Sequence, residues 1–214
     1  MLIGALEAGG TKMVCAIGTE DGTILEQKSI PTTTPEETIP RIVEYFKDKD
    51  IKALGVAAFG PVDVNPESET YGYILDTPKL AWRHKDLLGG LKEALKVPMG
   101  LDTDVNGSCL GELTYGCAKG LDSAVYITIG TGVGVGICTN GKLLHGMLHP
   151  EGGHILLERH PQDPKGGICP YHSNCLEALP AALPLRPDGA KKRWIWWTCR
   201  KCGSWRAATL PRLL

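Results

Sequence analysis

The sequence contains no apolar run that approaches the roughly 20 residues needed for a membrane-spanning helix. It also lacks the basic start and long apolar stretch of a secretory signal peptide, because Met1 leads directly into a short strand-like run. The formal net charge is only −1, so no excess of positive charge indicates nucleic acid or an anionic membrane as a partner. We therefore expect a cytoplasmic protein, without nucleic-acid or membrane partners, whose eight cysteines are reduced or bound to metal.

Apolar periodicity predicts an alternation of strands and helices. With 214 residues and 43% hydrophobic content, the chain can build one large domain or two small ones. Apolar runs and caps predict strands over 2–7, 13–17, 23–30, 53–58, 97–101 and 123–129, and helices over 35–49, 87–95 and 108–118. In the first helix, Thr34 is the expected cap, and one apolar face is formed by Ile39, Ile42, Val43 and Phe46. This pattern predicts an α/β fold.

A glycine-rich turn separates the first two predicted strands. It reads Ala8-Gly9-Gly10-Thr11-Lys12, so its backbone N–H groups, a hydroxyl and an ammonium group can face an anion. The spacing of a Walker loop is absent. An ordinary hairpin turn is the alternative interpretation, since glycine pairs are common there.

A second glycine-rich turn, over 130–136, follows a predicted buried strand. It is a further candidate for binding phosphate, although a run of alternating glycines is weak evidence for a nucleotide. Because it does not open a helix, the pattern argues against a Rossmann site.

Two carboxylates, Asp102 and Asp104, follow the predicted strand 97–101 and precede a helix. Open α/β sheets place their chemistry at this end of a strand, where a carboxylate can accept a proton from a substrate hydroxyl. A plain helix cap by Asp104 or Asn106 is the alternative. The turn over 59–63 also follows a buried strand and can present its backbone to a ligand.

Four side chains that suit a soft metal ion lie within 22 positions: His154, Cys169, His172 and Cys175. Zinc prefers thiolate and imidazole ligands, and a closed set of four is typical of structural sites. The loop over 158–167 is too polar to be held by burial, so an ion can replace the missing core. A disulfide between Cys169 and Cys175, or unpaired thiols, is the alternative, but a histidine between the cysteines favours zinc.

The composition changes abruptly at residue 178. Residues 178–214 hold eight Lys or Arg residues, a single acid and four of the five tryptophans. We interpret this tail as a frameshift product and expect most of it to be poorly ordered. Its Cys199 and Cys202 resemble half of a zinc ribbon or part of a basic nucleic-acid patch, but we favour accidental coding.

Taken together, residues 1–177 resemble the ROK family of sugar kinases, and more narrowly its bacterial fructokinase branch. The motifs, in the family's order, are 6–12 (Leu-Glu-Ala-Gly-Gly-Thr-Lys), 59–61 (Phe-Gly-Pro), 102–107 (Asp-Thr-Asp-Val-Asn-Gly), 129–134 (Ile-Gly-Thr-Gly-Val-Gly), 151–154 (Glu-Gly-Gly-His) and the cluster 169–175 running into 177. Most members have Asp where this chain has Glu7, whereas the fructokinase branch has Glu. The Cys/His spacing also departs from the commoner family pattern and is similar to that of the fructokinase branch.

The resemblance implies the actin-like ATPase fold, with two α/β lobes of ribonuclease H type closing over a cleft. It implies Asp104 as the general base, ATP bound with Mg²⁺, a structural Zn²⁺ and a homodimer. The residues implied to face the ATP phosphates are Gly9, Gly10, Thr11, Lys12, Gly130, Thr131 and Gly132. Those implied to contact the sugar are Gly60, Pro61, Thr103, Asp104, Glu151 and His154. The resemblance also implies that His154 is a zinc ligand, together with Cys169, His172 and Cys175.

We therefore expect an N-terminal lobe over 1–118, the start of a C-terminal lobe over 119–177 and a tail over 178–214. Because the family continues beyond this length, we expect a truncated second lobe and little or no kinase activity. The predicted reaction is phosphorylation of D-fructose by ATP at the 6-hydroxyl. The alternatives are a kinase for glucose, mannose or another hexose, and a non-catalytic, zinc-stabilised sugar-binding fragment. A ROK repressor is not expected, because only eight residues precede Gly9.

Overall fold

A computed structural model describes residues 1–130, 132–146, 149–158 and 169–178, and the backbone of Trp194–Thr198 and Trp205–Thr209. Thr131, the loop 159–168, Cys199 and Cys202, and most of the tail lie outside the described residues. The chain divides into two compact units, Met1–Ser108 with His145–His149, and Cys109–Leu144 with Pro150–Leu214. The predicted lobe boundary at residue 118 stays a prediction. Within the described part, no helix is long and apolar enough to span a membrane.

The first unit is built on a five-stranded sheet in the order β3-β2-β1-β4-β7. The strands of this unit are β1 (Leu2–Ala8), β2 (Lys12–Thr19), β3 (Ile24–Pro31), β4 (Leu54–Ala58), β5 (Tyr73–Ile74), β6 (Lys85–Asp86) and β7 (Met99–Thr103). The short strands β5 and β6 pair with each other, apart from the five-stranded sheet. β1, β2 and β3 are antiparallel neighbours, whereas β4 and β7 run parallel to β1. Alternate residues of β1 and β2 are buried, which is why period-2 alternation identified them.

Two helices, α1 (Pro35–Phe46) and α2 (Leu87–Leu95), belong to this unit. The predicted apolar face of α1 is confirmed, with Ile42 and Phe46 buried and Ile39 and Val43 partly buried against the core. Thr34 is the N-cap residue, as predicted, but its side chain makes no capping hydrogen bond. In α2, the Asp86 carboxylate accepts a hydrogen bond from Gly89 N at 2.7 Å and begins the helix.

The helix α3 (Asp104–Thr114) begins earlier than the sequence predicted. The Thr103 hydroxyl accepts a hydrogen bond from Asn106 N at 3.2 Å, so Thr103 caps the helix rather than Asp104 or Asn106. Asp104 is therefore the first helical residue. Leu110 on this helix is 52% exposed.

The second unit contains a three-stranded antiparallel sheet in the order β10-β9-β8. Its strands are β8 (Ala124–Ile129), β9 (Val133–Thr139) and β10 (Lys142–Leu143), followed by the 3₁₀ turn Gly152–His154. Asn140 and Gly141 both have positive φ, as a two-residue hairpin turn with the Asn-Gly sequence requires. In the tail, β11 (Trp194–Thr198) pairs antiparallel with β12 (Trp205–Thr209).

A glycine at position 72 controls the packing of α2 in the first unit. Gly72 has φ +92°, and a Cβ atom there would lie 2.3 Å from Leu88 Cβ. Substitution Gly72→Ala combines left-handed strain with overpacking, so we expect the free energy of unfolding to fall by about 2–4 kcal/mol.

The matched control is Gly100→Ala in β7, where a Cβ would meet no atom within 4 Å. Denaturant unfolding should place this variant within about 1 kcal/mol of the wild type. Equal destabilisation by the two substitutions would contradict the packing described for Gly72.

Candidate functional site

Three predicted site segments meet at one edge of the first unit's sheet. Ala8, at the end of β1, pairs with Ala58 at the end of β4, and Ala58 pairs with Thr103 at the end of β7. The chain leaves these ends into the glycine turn 9–11, the turn 59–63 and the start of α3. Parallel pairing therefore brings together side chains that are far apart in the sequence.

The turn between β1 and β2 is tightly folded at Gly9. Gly9 N donates to Glu7 O and Lys12 O, both at 3.1 Å, and a Cβ on Gly9 would lie 2.5 Å from Lys12 O. The Thr32 hydroxyl donates to Gly9 O at 2.7 Å and supports the turn from β3's side. Thr11 and Lys12 are exposed, so their hydroxyl and ammonium groups can meet a ligand.

The turn after β4 contains a cis peptide bond between Gly60 and Pro61. Phe59 N donates to Ala8 O at 2.8 Å, which fastens this turn to the end of β1. The same turn ends at Asp63, which is 6% exposed. Burial alone would raise the pKa of Asp63, but hydrogen bonds from Ser68, Thr70 and the Asn65 N–H hold it below its ordinary value.

Asp104 lies in the first turn of α3, directly after the β7 strand end. Its Oδ1 accepts a hydrogen bond from Val105 N at 2.9 Å, and its carbonyl oxygen accepts one from the Ser108 hydroxyl at 2.9 Å. The positive end of the helix dipole favours an ionised carboxylate at this position. An ionised, half-buried carboxylate at a strand end can accept a proton from a bound hydroxyl.

Both carboxylate oxygens of the neighbouring residue, Asp102, contact other groups of the first unit. Its Oδ2 lies 2.8 Å from His145 Nε2, and its Oδ1 accepts from Asn106 Nδ2 at 2.9 Å and from Thr103 N at 2.7 Å. These bonds link β7 to the first turn of α3 and to the segment His145–His149. Asp102 thus holds the end of β7, the start of α3 and His145 together.

Sequence reasoning missed His145, because it lies 43 positions from Asp102 and belongs to no motif. The segment around it is grouped with the first unit although the residues on both sides belong to the second. A single histidine between two glycine-rich motifs gave no indication of this pairing.

In the second unit, the turn between β8 and β9 lies against a carboxylate that the sequence analysis did not assign. Glu177 Oε2 accepts a hydrogen bond from Val133 N at 2.9 Å, and a Cβ on Gly132 would lie 2.6 Å from the same oxygen. Gly130 N donates to Gly132 O at 2.8 Å. At Val133 N, Glu177 therefore takes the place that an anionic ligand would otherwise occupy.

The four predicted metal ligands are also in the second unit, and one donor atom from each lies within 4.8 Å of the others. His154 Nδ1 lies 3.6 Å from Cys169 Sγ and 3.8 Å from Cys175 Sγ, and His172 Nδ1 lies 3.7 Å from Cys169 Sγ. With bonds of about 2.3 Å to sulfur and about 2.0 Å to nitrogen, a tetrahedral zinc ion holds such atoms about 3.5 Å apart. The donor set and its spacing therefore fit zinc, and Cys169 and Cys175 are both free thiols.

Backbone pairing explains how distant ligands reach the same point. Leu176 N donates to Ile155 O at 2.9 Å and Leu157 N donates to Asn174 O at 2.8 Å, so the segment after His154 runs antiparallel to the segment that contains Cys175. The turn before His154 packs closely on β9, since a Cβ on Gly153 would lie 1.9 Å from Val133 O. Glu151, at the start of this turn, is exposed and has a left-handed backbone.

Several curated relatives resemble this chain over most of its length. The fructokinases of Pediococcus pentosaceus, Streptococcus mutans and Zymomonas mobilis are 47%, 45% and 42% identical over 85%, 86% and 90% of this chain. The chain spans 63%, 64% and 65% of their lengths, respectively. A glucokinase of Streptomyces coelicolor is more distant, at 31% identity over 77% of this chain and 51% of the relative.

Solved structures agree with the fold. A ROK family glucokinase from Streptomyces griseus, in complex with glucose and AMPPNP, superimposes with a TM-score of 0.61 at 30% identity, over 74% of this chain and 51% of that one. A ROK hexokinase from Thermus thermophilus gives 0.60 at 28% identity, over 83% and 58%. These likenesses confirm the predicted actin-like ATPase fold. Since the ROK family profile also matches residues 3–190, further than the resemblance noted over 1–177, the chain belongs to the ROK family of sugar kinases.

Proposed function

We propose that this chain belongs to an ATP-dependent fructokinase that phosphorylates D-fructose at the 6-hydroxyl. The observation that carries the proposal is the alignment of the glycine turn, the Gly60–Pro61 turn and Asp104 at one sheet edge. The fructokinase relatives at 42–47% identity support fructose over glucose or mannose, because the glucokinase of Streptomyces coelicolor is only 31% identical. A homodimer is part of the proposal and is testable by sedimentation.

In this proposal Asp104 accepts the proton of the 6-hydroxyl while the hydroxyl oxygen attacks the γ-phosphorus of ATP. Gly60, Pro61 and Thr103, all in the first unit, orient the sugar. Because phosphoryl transfer needs positioning and charge neutralisation more than covalent help, one placed carboxylate is sufficient on the acceptor side.

The phosphates of ATP, which enters with Mg²⁺, bind the glycine turn of the first unit in this proposal. Residues 9–12 offer backbone N–H groups, the Thr11 hydroxyl and the Lys12 ammonium. In the second unit, Glu177 accepts a hydrogen bond from Val133 N, and its negative charge makes a cation or a hydroxyl-bearing ligand a better neighbour there than a bare phosphate.

We expect the substitution Asp104→Asn to lower kcat for fructose phosphorylation by about 10²- to 10⁴-fold, because an amide cannot accept the proton. Affinity for fructose should change little, since an amide fills the same volume. Asp122→Asn, at an exposed acid of the second unit, is the matched control and should keep wild-type kinetics.

The assay uses the 214-residue chain, and a chimera that adds the remaining part of the Pediococcus pentosaceus fructokinase. Wild-type rates in Asp104→Asn would contradict the assignment of the base. Saturable fructose binding without turnover in both proteins would instead select the non-catalytic sugar-binding fragment, and preferential turnover of glucose or mannose would select the alternative hexokinase.

We also propose that His154, Cys169, His172 and Cys175 hold a structural zinc ion. Support comes from the spacing of the donor atoms and from the composition of the set. Burial raises the pKa of the Cys175 thiol, so its thiolate needs a nearby cation to be stable. When bound, zinc would supply cross-linking of two segments and no chemistry of its own.

Substitution His172→Ala tests the zinc site, because this ligand is exposed and its loss leaves the core intact. We expect zinc affinity, measured by competition with a chromogenic chelator, to fall at least about 100-fold, and the melting temperature to fall with it. Tyr171→Ala, at the adjacent residue that is 77% exposed, should retain zinc. Equal zinc affinities in the two variants, or a zinc-free wild type after purification with added zinc, would overturn the proposal.

A further inference from the structure

A second lysine lies over the glycine turn of the first unit. A Cβ atom built on Gly10 would lie 2.8 Å from Lys79 Cε and 3.9 Å from Lys79 Nζ. The end of this side chain therefore occupies the space that the missing side chain of Gly10 leaves open. Lys79 is far from the turn in the sequence and belongs to none of the motifs that indicated phosphate binding.

The loop that carries Lys79 has little regular structure but is firmly held. The side chain of Thr77 is almost fully buried, and its hydroxyl accepts a hydrogen bond from Lys79 N at 3.3 Å. Arg83 Nη2 donates to Thr77 O at 3.2 Å from the other end of the loop. Both bonds involve Thr77, so they fix the backbone directly before the lysine.

A buried tryptophan anchors the same loop. Trp82, 1% exposed, follows Lys79 by three positions in the 3₁₀ turn Leu80–Trp82. Its Nε1 donates to Thr33 O at 2.7 Å, and its ring meets Phe59 edge-to-face with 6.0 Å between centroids. Thr33 follows β3 and is adjacent to Thr32, which supports the glycine turn. Phe59 is the first residue of the turn after β4. The tryptophan thus fixes the loop against the segment that follows β3 and the turn that follows β4.

The lysines beside the turn differ from other lysines of this unit in their ion pairing. Four lysines of this unit are paired with carboxylates: Lys47, Lys49, Lys52 and Lys85. Within the described part of the chain, by contrast, no carboxylate forms an ion pair with Lys12 or Lys79. Two lysines beside one glycine-rich turn favour a polyanion.

We propose that Lys79 is a second cation of the phosphate-binding turn and contacts phosphate oxygens of the bound nucleotide. The proposal rests on the function proposed above and adds a binding residue to it. The anchored loop supplies pre-organisation, since a lysine held near its bound position loses less conformational freedom when the phosphate arrives. The phosphate group of a sugar phosphate product is the other ligand that could offer such oxygens to Lys79.

The test measures binding to the 214-residue chain by calorimetry with three probes: inorganic tripolyphosphate, ADP with Mg²⁺, and fructose 6-phosphate. We expect Lys79→Met to lower the affinity for tripolyphosphate and for ADP about 10- to 100-fold, which is the loss expected for one charge-assisted contact. Lys79→Arg should recover most of this affinity, and the loss should shrink at high salt. Lys47→Met makes the same charge change on an exposed lysine at the end of α1 and should leave binding unchanged.

Equal affinities of Lys79→Met and wild type for tripolyphosphate and ADP would overturn the proposal. A loss of affinity confined to fructose 6-phosphate would also overturn the proposal, since Lys79 would then bind the product rather than the nucleotide. The proposed function has a separate readout, fructose turnover in the wild-type chimera. Absence of that turnover, with Lys79-dependent tripolyphosphate binding intact, would refute the fructokinase and leave the anion-binding lysine standing.

Discussion

The parallel pairing of β1, β4 and β7 is the constraint on which the first unit's site depends. Because Ala8, Ala58 and Thr103 are neighbours across the sheet, the segments that follow them begin at a common edge. Slipping this register by one residue would turn each strand's buried side chains to the opposite face. The site geometry is therefore tied to the core, where Leu6, Val56 and their neighbours are nearly inaccessible to solvent.

Local patterns in the sequence were sufficient for the elements of regular structure. The buried run that became β4, the capped apolar stretch that became α2 and the Asn140–Gly141 hairpin each have a short-range cause that can be read directly. The start of α3 was misjudged because the four residues after β7, 104–107, suit either a loop or a helix. The Thr103 hydroxyl decides between them by satisfying the Asn106 N–H, a contact that sequence spacing alone does not select.

Long-range contacts account for what the sequence did not predict. His145 reaches Asp102, Glu177 reaches Val133 N, and Lys79 lies over Gly10, and in each pair the residues are separated by more than 40 positions. Such pairs arise from topology, because the sheet order and the loops between strands determine which segments meet. The Cys/His set is the opposite case. Its ligands are close enough in the sequence for their spacing to indicate a shared ion, and antiparallel backbone pairing then brings them together.

The most direct test of the account is a titration of D-fructose into ¹⁵N-labelled protein, followed by amide chemical shifts. The account predicts saturable shifts at Gly60, Thr103 and Asp104, which lie beside the aligned ends of β4 and β7. These amides belong to different segments of the chain, so they should respond together with one dissociation constant. Saturable binding that leaves all three unchanged, while shifts appear only elsewhere in the first unit, would show that the strand edge is not the sugar site.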